Sequence, residues 1–223
     1  MTFILSSLGI YLIHYLIQAS RLKTPIIFCT GLIGVTVHEL SHYLMAKVCG
    51  FHVTEVRLFQ MPTRTNPTMG YVAFTRPNSI FGAVGHVLVS VAPLILGSLC
   101  LALSSNLSFI NQLTHTIQHQ SIINYPTAIY SLIQQATIID LVVLFALASI
   151  TLHMLPSSTD IKGALKGSLY VGCLVYFLML AGVLYMTHIE SFIMHWAAWL
   201  GAVMSFGLLA ALPIAGLAMI TRR

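Results

Sequence analysis

Apolar positions gather into six long runs, about 2–19, 25–49, 79–104, 137–155, 165–187 and 192–220, with polar stretches between them. Each run is long enough to cross a bilayer as a helix with some tilt. Pro25 suits the first turn of the second helix, and Gly50 suits its C-terminal cap. Two connections are long. The first carries two strand-like runs, Phe51–Phe59 and Gly70–Thr75, around the turn-rich stretch Met61–Met69, which predicts a β-hairpin over about 51–75. The second, Ser105 to Ala136, has no Lys, Arg, Asp or Glu but is rich in Asn, Gln, Ser, Thr and His. Helices at the membrane interface or outside it are predicted there, around 109–119 and 127–135. The predicted fold is a membrane all-α domain over residues 1–223, with six transmembrane helices and a short β-hairpin or small sheet after the second.

Composition supports the membrane class. Hydrophobic residues make up 57% of the chain and charged residues 7%, with mean hydropathy +0.90. A soluble domain carries about 25% charged residues. The net charge of +5 comes from cations spread over connections beside the apolar runs, so it predicts no nucleic-acid partner. Cys29, Cys49, Cys100 and Cys173 lack C-x-x-C spacing and lie in or beside apolar runs, as small buried hydrophobes do. The first run has no basic segment before it and no small-x-small cleavage signal, so it is expected to stay as a helix.

Six crossings would place both termini on one side. That side would hold Arg57, Arg64, Arg76, Lys162, Lys166, Arg222 and Arg223, against Arg21 and Lys23 on the other. The positive-inside rule then predicts cytoplasmic termini. The small size fits a multi-pass protein of a bacterial inner membrane.

Within the second run stands His38-Glu39-Leu40-Ser41-His42. On a helix, two histidines four apart lie roughly 40° apart around the axis and about 6 Å apart along it, so both rings can reach one Zn2+ ion. The glutamate between them can take a proton from water. Ionisable groups are costly in hydrocarbon, so such a cluster marks a functional site. A catalytic zinc needs a third protein ligand. Asp160, Asp140, Glu190, His153 and His86 are the main candidates. Asp160 lies in the polar interruption His153-Met-Leu-Pro156-Ser-Ser-Thr-Asp160, whereas Asp140 reads as a helix cap.

These motifs resemble the site-2 protease family of intramembrane zinc metalloproteases, over roughly residues 28–170. That family joins an HExxH transmembrane helix to a later Asn-x-x-Pro…Asp-Gly motif. By resemblance, His38 and His42 match the histidine ligands, Glu39 the general base, Asp160 the ligand aspartate and Pro156 the motif proline. Val91-Ala-Pro93-Leu-Ile-Leu-Gly97 is similar to the family's Pro-containing intervening helix. The chain departs from the pattern in three places. His153 holds the asparagine position, three residues separate Pro156 from Asp160, and Ile-Lys-Gly follows the aspartate.

The resemblance implies a zinc-dependent endopeptidase that cuts a single-span membrane protein within the bilayer, in signalling proteolysis or in clearing signal-peptide remnants. A regulatory membrane protein would then be a further partner. His153, Pro156 and His86 are expected to support the ligands or orient substrate. Val53 and Val72, on the predicted strands, are expected to pair with an unwound substrate segment. The other readings are a membrane metal-ion transporter or metal-binding protein, and a non-cleaving pseudoprotease.

Overall fold

The computed structural model describes residues 2–63, 65–66, 68–119, 125–183 and 185–222. Arg64 and Arg223, used above in the charge count, lie outside these. The chain is mostly helical: α1 (Thr2–Ala19), α2 (Lys23–Val48), a hairpin of β1 (His52–Arg57) and β2 (Tyr71–Thr75), α3 (Ile80–Ser104), α4 (Ser108–His119), α5 (Tyr125–Gln135), α6 (Ile138–His153), α7 (Ser158–Leu180) and α8 (Met186–Ile220). Five helices, α1, α2, α3, α7 and α8, are long and apolar enough to span a membrane, as in a multi-pass integral membrane protein. The sixth apolar helix, α6, has 16 residues.

Local chemistry sets most boundaries. After α2, Gly50 adopts φ +71, a left-handed conformation that glycine takes without strain, and its N–H bonds to Lys47 O. Thr137 and Asp140 close a capping box at the start of α6, as expected of Asp140. The hairpin is antiparallel, pairing Val53 with Phe74 and Val56 with Val72, with a bulge between Val53 and Glu55. Glu55 and Arg57 form an exposed ion pair at 3.2 Å, and the Tyr71 hydroxyl and Arg57 together hold the Glu55 carboxyl below its ordinary range.

Helix directions correct the crossing count. α3 runs antiparallel to α2, with His42 beside Val89 and Cys49 beside Gly85. α7 runs antiparallel to α3, with Gly163 against Ser90 and Gly167 against Ala83 and Val87. α6 has its Ser149 carbonyl against Gly34 and its His153 carbonyl at His38, one turn further along α2, so it starts at the end of the bundle where α2 starts. α6 and α7 therefore point the same way as α2. They share one direction, with a break at Met154–Ser157, rather than the opposite directions expected of 137–155 and 165–187. α7 also begins seven residues earlier than expected and α8 six, at Ser158 and Met186.

α1 and α8 are parallel. Thr2 lies beside Gly201, Ser6 bonds Ser205, and Ser20 bonds Thr221. The C-terminus thus sits at the far end of α1 from the N-terminus. This arrangement puts the two chain ends at opposite ends of α1, against the expectation that both share one cytoplasmic side. The hairpin also does not stay at one end. Gly70 lies against Val35 and Glu39, Phe59 meets Phe28 edge-on, and Met61 and Pro62 line a cavity with Lys23 and Thr24. Arg57 is therefore not an end-of-bundle charge, and the asymmetry used to orient the chain is lost.

The core has two parts. The larger joins α1, α2, α3, α4, α6 and α8 through Ile10, Ile17, Leu101, Ile110, Leu152 and Met204. The smaller, Ala46, Phe51 and Val89 with Val53 and Phe74 against it, fixes the hairpin to α2 and α3. Between these two clusters lies the histidine pair.

Candidate metal centre

His38 and His42 project from one face of α2, one turn apart, as their spacing requires. Asp160, carried by the first turn of α7, meets them: Oδ1 is 3.2 Å from His42 Nε2 and Oδ2 is 3.6 Å from His38 Nε2. The two Nε2 atoms are 3.2 Å apart. Donor atoms about 2.0–2.1 Å from a tetrahedral zinc lie about 3.3 Å from one another, so the triangle has the size of three corners of such a site.

Hydrogen bonding defines what these atoms offer. His38 Nδ1 donates to the His153 carbonyl at 2.7 Å, and His42 Nδ1 donates to the Val89 carbonyl at 2.8 Å. A neutral imidazole that donates at Nδ1 has only a lone pair at Nε2. With both rings neutral in that tautomer, two lone pairs and two carboxylate oxygens converge. Such a set can hold a metal ion, and backbone carbonyls that fix the ring tautomer are the usual support of histidine metal ligands. The donor set fits zinc.

Asp160 is aimed by its own helix start. Ser157 N and Oγ donate to Asp160 Oδ2 at 2.8 and 2.6 Å, and Asp160 N donates to Ser157 Oγ at 3.2 Å, closing a capping box. The positive end of the α7 dipole also favours a carboxylate at this point. Pro156 sits in the break before Ser157 and cannot donate a backbone proton, so helix α6 ends where α7 can begin at a new angle.

Glu39 is buried beside the pair and lines two cavities that meet at it. One, about 440 Å³, is bounded by His38, His42, Asp160, His86, Ser90 and residues Gly70–Val72 and Phe74 of the hairpin. The other, about 400 Å³, lies on the α1 side and is lined by Tyr11, His14, His153, Pro156 and Ser157. Among the described residues β2 pairs with β1 alone, and Tyr71, Val72 and Phe74 of this edge strand line the first cavity.

The structure brings together His38, Glu39, His42 and Asp160, with His86, Pro156 and Val72 on the cavity walls. Two expected residues fall elsewhere. Val53 does not line either cavity, because it packs instead against the smaller core cluster of Ala46, Phe51 and Val89. The His153 ring points away from the donor triangle, 3.2 Å from Thr30 Oγ1. Thr30 already donates to Ile26 O, so His153 Nε2–H is the donor, and this residue serves His38 through its main-chain carbonyl. Asp140 and Glu190 are not in the group. Sequence reasoning missed the Val89 carbonyl, which carries no side-chain signal, and Ser157, whose Ser-x-x-Asp spacing is a readable capping signal.

Compared with protein-family models, curated proteins and solved structures, the chain matches none of them.

Proposed function

We propose that this protein is a zinc-dependent endopeptidase that cleaves a transmembrane segment of a membrane-anchored protein. The observation that carries the proposal is the convergence of His38, His42 and Asp160 as unprotonated donors beside a buried glutamate, inside an apolar bundle. Zinc held by those three residues would supply Lewis acidity, lowering the pKa of a water to about 7 and polarising a carbonyl. Glu39 is placed to accept the proton of an attacking water on its carboxylate and to return it to the leaving amine. Gly70 carries no side chain where it faces Glu39, which leaves that carboxylate open to the cavity.

A substrate helix must unwind before its peptide bond can be attacked, and unwinding exposes backbone polar groups that hydrocarbon cannot satisfy. The free edge of β2 offers N–H and C=O groups at the cavity wall, where an extended segment can add as a third strand. Val72 borders the position of that strand. A polar conduit for ion transport would need to run through the whole bundle, whereas the polar contacts of the α2 half before Val35 are with Ser149 and His153 of α6 near its middle, and Ile26 joins the apolar core.

The test is co-expression with candidate single-span substrates, comparing wild type with Glu39→Gln. Cleavage by wild type that is absent from the variant supports the proposal. Equal cleavage by both removes Glu39 from the chemistry.

A further inference from the structure

A separate cavity, about 810 Å³, lies between the start of α2 and the loop of the hairpin. Ile27, Phe28, Met61, Pro62 and Met69 make its walls apolar, while Lys23 stands at its rim. The volume is in the range of small-ligand sites. It opens at the end of the bundle where α1 stops, α2 begins and α8 stops, which is the depth of lipid headgroups for helices that span the bilayer.

Two more cations flank that end of the bundle. Arg21 N bonds Thr221 O at 2.9 Å, and Ser20 bridges Arg222, so Arg21, Lys23 and Arg222 share one corner. Among the described residues none of the three is in an ion pair. The chain's five acidic residues are placed elsewhere or engaged: Glu39 and Asp160 are at the metal centre, and Glu55 pairs with Arg57. Asp140 lies at the same end of the bundle but has its carboxylate engaged by Thr137 in the α6 capping box, and Glu190 lies near the start of α8, at the opposite end. No side chain caps the start of α2, so its positive helix end adds to the same corner.

We propose that this groove is a binding site for an anionic phospholipid of the surrounding bilayer, with an acyl chain between Phe28 and the hairpin loop and the phosphate at Arg21 and Lys23. The apolar walls and the uncompensated cations match the two halves of such a molecule. A neutral lipid would leave the cations unmatched, and a soluble anion would leave the apolar groove empty. Met69 lines both this groove and the α1-side cavity beside Glu39, so the lipid would brace the hairpin that walls the metal centre. The proposal does not depend on the protease function.

The experiment uses the full-length protein in phosphatidylcholine bilayers, with spin-labelled phosphatidylglycerol or spin-labelled phosphatidylcholine as probe. The expected result is a motionally restricted population that favours phosphatidylglycerol. Arg21→Gln and Lys23→Gln should each weaken that preference about fivefold at low salt. Thr24→Trp or Met61→Trp, at exposed positions on the groove wall, should abolish it with every charge retained. Inorganic phosphate should not compete. Equal restriction of both lipids would overturn the proposal. So would a preference that survives both Trp variants, which would be surface attraction alone, or displacement by phosphate, which would be an ion site.

Discussion

Gly34→Ala tests how the metal centre is held. At an ordinary exposed helix position this change is favourable by about 0.8–1.0 kcal/mol. Here the added Cβ would stand 2.5 Å from His153 Cδ2, and closer still to the Ser149 carbonyl oxygen. Ordinary contact begins at 3.4 Å, so α6 must move off α2 by about 0.9 Å. His38 Nδ1 reaches the His153 carbonyl across that same interface at 2.7 Å. A displacement of this size stretches the bond to about 3.6 Å, beyond hydrogen-bond range. Loss of a group that orients a histidine ligand typically costs 10–100-fold in metal affinity. The assay is zinc affinity by chelator competition, with Gly172→Ala as control, because a Cβ at Gly172 meets nothing within 4 Å. Wild-type zinc affinity in Gly34→Ala would refute the argument that α2–α6 contact sets the tautomer and position of His38.

Ser157→Ala removes both side-chain links of the α7 capping box, so it should destabilise that helix start by about 1 kcal/mol and lower zinc affinity by 10–100-fold, read by thermal unfolding and chelator competition. His153→Asn keeps the main-chain carbonyl that serves His38 but loses the bond to Thr30. It should retain zinc while losing about 1 kcal/mol of stability, and zinc loss matching that of His42→Ala would make the ring a ligand. Reporter fusions at the two termini should fall on opposite sides of the membrane. Matching sides would restore an even number of crossings.

Much of this architecture is legible in the sequence because hydrocarbon demands long apolar helices. The starts and ends of α1 and α3 fall within a residue of the predicted 2–19 and 79–104. Direction is less legible. A break inside the bilayer and a loop at its surface both appear as a short polar interruption, so Pro156–Asp160 reads as a connection between two crossings. Ser157-Ser-Thr-Asp160 looks like loop for the reason it starts a helix: capping residues are polar. The proposed metal ligands are readable because His38 and His42 repeat at one turn and Asp160 follows a helix-breaking proline. The parts supplied by main chain, at Val89 and His153, depend on tertiary packing. The re-entrant course of the hairpin depends on Gly70 fitting against Glu39, which no local pattern announces.

The central claim is that His38, His42 and Asp160 hold zinc while Glu39 does the proton transfer. Zinc content measured in parallel on purified wild type, Glu39→Gln and Asp160→Ala tests it most directly. The account predicts stoichiometric zinc in wild type and Glu39→Gln, with a large loss in Asp160→Ala. Zinc undiminished in Asp160→Ala, or lost from Glu39→Gln, would contradict it.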